Sequence, residues 1–281
     1  QEQILRENDR TCAEYLNVLK ARPLQIWERT NKHSDFLSIR LGTGQLPMAA
    51  DIQYVERRFS VEQDNLLESM YQFGEKERWL TNVPICLPLT QRIVSGFYAD
   101  HKLLLAYAKS LILQLTVVHS YDEVKLVVLY DETDEDDFSF VRWLPHTMDN
   151  DKHIRYLAST PDEAKNLSAD LEKVLDYRKS LPQDKRSDES PYYVVLSLSK
   201  KLGAKTECLR SIMQCKENLG FSVIAMYERL KDLPKECSAV VRLETSGNSM
   251  LTLLDDVAEE PVLFQIETLE QENMQNVTQV L

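Results

Sequence analysis

Gly96-Phe97-Tyr98-Ala99-Asp100-His101-Lys102-Leu103 sets a glycine six residues ahead of a lysine. That is the spacing at which a loop closes backbone N–H groups around a phosphate while the lysine reaches its oxygens. The full pattern, G-x-x-x-x-G-K-[ST], needs two more residues. A second glycine lets the backbone approach the phosphate, and a hydroxyl ligates Mg²⁺. Here those positions hold His101 and Leu103. Lys102 on its own attracts an anion only weakly. The run lies between a short apolar segment, residues 92–95, and a long apolar helix over 100–118, the strand-loop-helix setting such a loop requires. The expectation is a loop with the frame of a phosphate site, Gly96, His101, Lys102 and Leu103, but without its chemistry.

Hydrolysis would also need carboxylates at the end of a neighbouring strand, one to hold Mg²⁺ and one to activate water. The apolar run 192–198 ends in Ser197-Leu198-Ser199, with no acid. The run 124–130 does lead into Asp131 and Glu132. Those two open a string that continues through Asp134, Glu135, Asp136 and Asp137, the pattern of a solvated loop. A Ca²⁺ loop is a poor alternative, because the glycine of that motif is missing. The six acids are instead the candidate contact for a basic partner surface. The five histidines show no H-x-x-x-H or H-E-x-x-H spacing, and there is no G-x-S-x-G. Each histidine reads as a satisfied or surface group, with no metal site. The five cysteines are scattered without a C-x-x-C and read as free thiols in a reducing compartment.

The elements around these residues set their context. The chain has 281 residues with ordinary apolar and charged fractions, enough for one large domain with appendages. Its net charge of −12 argues against nucleic acid as a partner. Its seven glycines offer no second glycine-rich loop. The longest apolar run, 103–118, is interrupted by Lys109 and too short to span a bilayer comfortably. Beginning at Gln1, the chain reads as a fragment, so the lack of a targeting segment says nothing of its parent.

Residues 1–23 read as a helical connector. Residues 24–83 read as a β-rich leading segment packed on the core, with a strand over 35–41, a turn at Gly42-Thr43-Gly44 and a helix over 60–73. Residues 84–270 read as the core and 271–281 as a tail or linker. In the core, continuously apolar runs at 92–95, 124–130, 192–198 and 221–226 alternate with helices at 100–118, 161–180 and 205–218. Runs apolar on both faces belong to a buried parallel sheet. Thr160-Pro161-Asp162-Glu163 is a strong helix start, with a cap, a proline at the first position and an acid at the third. Residues 239–244, 249–254 and 261–266 read as closing strands, and 181–190 as an exposed loop.

Three segments together resemble the membrane-anchored FtsK/SpoIIIE-type ATPases of type VII secretion systems (the EssC, YukB and EccC proteins). Leu24-Gln25-Ile26-Trp27-Glu28-Arg29 with Asp35-Phe36-Leu37-Ser38-Ile39-Arg40-Leu41-Gly42-Thr43-Gly44 is similar to the leading motif LWER…DFLxxRxGxG. Leu111-Ile112-Leu113-Gln114-Leu115-Thr116-Val117-Val118-His119-Ser120 resembles the helix-exit motif. Phe140-Val141-Arg142-Trp143-Leu144-Pro145-His146, after the run 125–130, resembles a segment ending in W-L-P-H.

The resemblance implies an α/β, P-loop NTPase-like (RecA/FtsK-type) fold: a mostly parallel sheet flanked by helices, with an N-terminal β-rich and helical extension. It points to the membrane-proximal, degenerate ATPase-like domain. Carried over position by position, the acidic pair of the active domains falls on Leu198 and Ser199. Their sensor glutamine falls on Glu228, and Arg229 keeps the basic residue beside it. The implied role is non-catalytic, coupling a membrane stalk to downstream ATPase domains at the cytoplasmic face of the bacterial membrane. The implied partners are a ubiquitin-like component, membrane subunits and the downstream domains, with no cofactor and ATP binding absent or weak. A weak regulatory nucleotide site around Lys102 is the alternative. With no working site to complete across a subunit boundary, the isolated domain is expected to be a monomer.

Overall fold

The computed structural model describes residues 1–21, 26–49, 66, 69, 78–215, 217–254 and 260–268. The helix expected over 60–73 and the tail over 271–281 lie outside the described residues, apart from Leu66 and Ser69. Ten strands form one sheet: β1 (Ser38–Pro47), β2 (Trp79–Pro88), β3 (Val94–Tyr98), β4 (Val124–Leu129), β5 (Leu157–Ala158), β6 (Tyr192–Ser197), β7 (Phe221–Tyr227), β8 (Ala239–Arg242), β9 (Ser249–Leu253) and β10 (Val262–Ile266). Their order is β2-β1-β10-β9-β8-β3-β7-β6-β4-β5. From β8 to β5 neighbouring strands run parallel, and from β8 through β9 and β10 to β1 and β2 they run antiparallel.

Strands β4, β6 and β7 are buried at every position, which is why they read as unbroken apolar runs. Helices cover both faces. On one lies α3 (His101–Val118), long and apolar enough to pass for a membrane span. It is instead the central core helix, and each fully buried Leu or Ile along it contributes about 1.5–3 kcal/mol. On the other face α5 (Pro161–Ser180), α6 (Lys200–Lys205) and α7 (Glu207–Gln214) pack on Val127, Leu129, Tyr193 and Val195. The short α4 (Glu135–Phe138) follows β4. The capping box expected at Thr160 and Glu163 is formed.

The leading segment belongs to the same sheet as the core. Strand β1 pairs with β10, and the boundary expected between residues 83 and 84 falls inside β2. The turn expected at Gly42-Thr43-Gly44 is absent, because these residues lie within β1. A Cβ on Gly42 would sit 2.0 Å from the carbonyl oxygen of Gln265, and one on Gly44 would sit 2.6 Å from that of Leu263. The two glycines thus let β1 approach β10 closely, and they do not reverse the chain. Strand β2, which carries Pro84 and Pro88, and the two-residue β5 are not among the strands expected from sequence.

The connector is two helices, α1 (Glu2–Asn8) and α2 (Cys12–Ala21), broken where Glu14 accepts from the Thr11 amide and hydroxyl. Helix α2 buries Cys12, Tyr15 and Leu19 in the main core. The helix expected over 205–218 is shorter, Glu207–Gln214, and α6 precedes it. The two part at Thr206, whose hydroxyl donates back to the Leu202 carbonyl, and the Cys208 amide turns to the Ser168 hydroxyl.

Candidate functional site at the carboxyl ends of the parallel strands

The chain leaves β3 for β4 on one side and later returns from β7 past β3 to β8 on the other. Strand order therefore reverses beside β3, where open α/β sheets place their ligands. All the residues singled out for nucleotide chemistry lie near this reversal, but they do not form a phosphate loop. Strand β3 runs three residues past the expected 92–95, ending at Tyr98, so Gly96 lies inside the strand. A Cβ there would meet Leu233 at 2.7 Å and the Cys237 sulfur at 2.9 Å. Gly96 is thus a packing glycine beneath the segment before β8. Only Ala99 and Asp100 separate strand from helix.

A helix N-terminus attracts anions through its free N–H groups and the helix dipole. Here the chain supplies its own. The Asp100 carboxylate accepts from the Leu103 amide at 3.2 Å. His101 Nε2 lies 3.0 Å from Asp134 Oδ1 and its Nδ1 lies 3.8 Å from Glu228 Oε1. Lys102 is exposed in the first turn, and Leu103 is buried in the core. The carboxylates of Asp100, Asp134 and Glu228 thus already lie at this helix start, two of them against His101.

At the end of β6, Leu198 and Ser199 offer no acid. The Ser199 hydroxyl caps α6 by accepting from the Leu202 amide, and it donates to Asp131 Oδ1 at 2.6 Å. A carboxylate therefore does stand beside β6, delivered by the end of β4. The sequence reading set Asp131 aside as part of a solvated run. At the end of β7, Glu228 and Arg229 are exposed.

The acidic run is folded, which corrects the solvated-loop expectation. Asp134 is buried against His101. Glu135 accepts from Arg142 at 2.6 Å and from the Tyr130 hydroxyl at 2.7 Å. Asp137 pairs with the buried Lys109 at 2.5 Å. Asp131 is held by Ser199. Of the six candidate contact residues, Glu132 and Asp136 alone are exposed, and neither carboxylate has a polar partner among the described contacts. Phe138, Val141 and Leu144 anchor the segment by burying beneath it.

His119 is a satisfied core histidine, as expected from sequence; His146 is equally buried, but only its Nε2 is partnered, by the His119 carbonyl, and its Nδ1 has no hydrogen-bond partner among the described residues. His119 Nε2 accepts from the Leu37 amide at 3.2 Å while Nδ1 faces the Leu115 carbonyl, which makes the ring neutral with its proton on Nδ1. Burial pushes its pKa down to about 3 and that of His146 down to about 4. Two features lie outside anything read from sequence. Asp149, Asp151 and His153 each bring a ligand atom within 4.8 Å of the others on an exposed turn, a grouping common among surface acids without an ion. A groove of about 330 Å³ flanks β5, away from the β3–α3 turn.

A mixed sheet, parallel from β8 to β5, with helices on both faces and its order reversing beside the strand that precedes a long buried helix, is the P-loop NTPase fold of its structural neighbours. Within that fold the chain is similar in sequence to the type VII secretion ATPases EssC and EccC. It is 23% identical over 274 residues to EssC of Staphylococcus aureus strain NCTC 8325, covering 95% of this chain and 18% of that protein. It is 23% identical over 219 residues to EccC of Geobacillus thermodenitrificans, covering 78% of this chain and 15% of that protein. The chain thus spans less than a fifth of the length of these relatives. No family model matches it. Its fold is shared with the cytoplasmic domain of Thermomonospora curvata EccC, at a TM-score of 0.60 and 13% identity over 96% of this chain and 34% of that one. It is shared also with ATPases 2 and 3 of EssC from Geobacillus thermodenitrificans, at 0.53 and 11% over 92% and 50%. The resemblance read from the three motifs is borne out.

Proposed function

We propose that this chain is a non-catalytic, ATPase-fold module of a type VII secretion motor. In this reading it transmits position between a membrane-proximal stalk and downstream ATPase domains, and it docks other secretion components at the cytoplasmic face of the membrane. Ubiquitin-like and membrane subunits are the partner classes. The observation that supports the reading is the two-residue β3–α3 turn, with the Asp100 carboxylate capping the helix start where a phosphate loop would present its N–H groups to a nucleotide.

The coupling role draws support from how the connector is held. Buried Arg29 donates to the Asn8 carbonyl and to Asp9 at 2.7 Å each, and to the Ser38 carbonyl at 3.1 Å. Arg40 donates to the Asp9 carbonyl and, at 2.6 Å, to Glu267, whose other oxygen accepts from the Cys12 amide. The first helices and the segment after β10 are therefore fastened at one point, as a rigid coupler needs.

The second reading, a weak regulatory nucleotide site, rests on exposed Lys102 and on Asp131 beside β6. Lys102→Ala in the full-length protein separates the two. A structural turn predicts secretion within about twofold of the parent, since an exposed helix residue changes stability by under about 0.5 kcal/mol. Loss of secretion with normal protein levels would favour the nucleotide site.

A further inference from the structure

Among the described residues the sheet ends at β5, and the outer edge of that strand lies in a slot. Helix α5 forms one wall through Asn166 and Asp170, and Tyr130 and Arg142 line the groove from the segment after β4. Val128 donates to the Tyr156 carbonyl at 2.9 Å and Tyr130 to the Ala158 carbonyl at 3.1 Å. Strand alternation then turns the N–H and C=O of Leu157 away from β4, toward the groove. An edge with outward-facing backbone groups is a template for another strand.

The charges in the slot are unevenly engaged. Glu163 accepts from the Ser159 and Thr160 amides, Asp170 pairs with Lys173 at 2.7 Å, and Arg142 is taken by Glu135. Arg155 is exposed on the groove wall and has no ion pair among the described residues, in a chain of net charge −12. Trp143, next in the chain to Arg142, is 72% exposed. Exposed tryptophan and arginine are the residue types that anchor interfaces. Four of the six acids first considered for docking are tied to partners within the chain, and the same segment turns its arginine and tryptophan outward.

We propose that this slot takes an extended peptide segment of a partner protein, paired edge-on to β5 and carrying a carboxylate that meets Arg155. The inference rests on the docking half of the proposed function and places it. Main-chain pairing to Leu157 supplies affinity, and Arg155 supplies the preference for acidic sequence.

The test is to pan a random dodecapeptide display library against the folded chain and to follow the selected peptides by hydrogen exchange. The expected peptides are enriched in Asp and Glu and slow exchange of the Leu157 amide at least about tenfold. They should bind Arg155→Glu at least about tenfold more weakly. Panning against Arg155→Glu, which is exposed and should fold normally, should enrich Lys and Arg instead. Selected peptides that leave Leu157 exchange unchanged, no selection at all, or the same peptides from both chains would overturn the proposal. So would a concentration-dependent dimer that protects Leu157, which would assign the slot to a second copy. If peptides bind as expected but Arg155→Glu secretes normally in the full-length protein, the slot stands and the docking role fails.

Discussion

Replacing Arg178 by methionine is expected to destabilise the chain by about 4 kcal/mol and to lower its melting temperature by roughly 10 °C. Arg178 is 1% exposed and has no carboxylate partner among the described ion pairs. Its charge is compensated by three backbone carbonyls and two rings. It donates to the Leu219 carbonyl at 2.7 Å, to that of Glu189 at 3.0 Å and to that of Pro191. Its guanidinium lies 5.4 Å over the Tyr193 ring and 5.3 Å over that of Phe221. Burial lowers its pKa, but an arginine still stays charged. One side chain thus ties α5 to the loops that lead into β6 and β7. Gly220 beside it has φ +73°, and a Cβ there would lie 1.6 Å from the guanidinium. Methionine fills much of the volume but leaves three carbonyls unpaired, each costing about 1–3 kcal/mol. Thermal and urea unfolding followed by circular dichroism measure the loss. A change below about 1 kcal/mol would mean that other donors satisfy these carbonyls.

Acid is expected to destabilise the fold steeply through His119 and His146. Unfolded, both titrate near pH 6.5. Folded, burial holds them down to about 3 and about 4, with Arg29 near His119 and Lys125 near His146 acting in the same direction. Between those values the unfolded chain binds protons that the folded chain refuses. Stability therefore falls as pH drops from about 6.5 toward 4, by up to about 2.7 kcal/mol per pH unit for the pair, and these two groups contribute no slope above about 7.5. His119→Gln keeps a carbonyl acceptor for the Leu37 amide and removes one titration, so it should halve the histidine part of the slope. Urea midpoints at pH 7, 6 and 5 for both proteins measure it, and the difference between them cancels the carboxylate contribution. Identical slopes would contradict the account.

The same histidine explains why the family resemblance was legible. The three motif segments are far apart in sequence and meet around His119. Leu37 of the leading motif donates its amide to the ring, and Phe36 packs edge-on at 5.3 Å. His146 of the W-L-P-H segment bonds the His119 carbonyl at 2.8 Å. Trp27 donates its amide to the Val117 carbonyl and its indole N–H to that of Thr116. Residue types at such a node are set by buried hydrogen bonds, which ties the three segments to one another. The buried strands and the Thr160 capping box were legible for a similar reason, because local chemistry and tertiary packing agree there.

The misreadings share the opposite cause. Gly42 and Gly44 look like a turn in isolation, but only the approach of β10 shows why side chains are excluded. Gly96 looked like the first glycine of a phosphate loop because the spacing to Lys102 counts residues and not strand ends. The apolar run continues through Phe97 and Tyr98, and Phe97 is fully buried. The acidic run looked solvated because its partners, Lys109, His101, Ser199 and Arg142, are distant or unremarkable in sequence. The groove beside β5 left no signal, since the edge strand that bounds it is two residues long.

The central claim, that the nucleotide position is filled by the chain itself, is tested most directly by isothermal titration of ATP with Mg²⁺ into the folded chain. The account predicts no saturable heat at millimolar nucleotide, for the parent chain and for Lys102→Ala alike. Saturable binding that Lys102→Ala abolishes would contradict it.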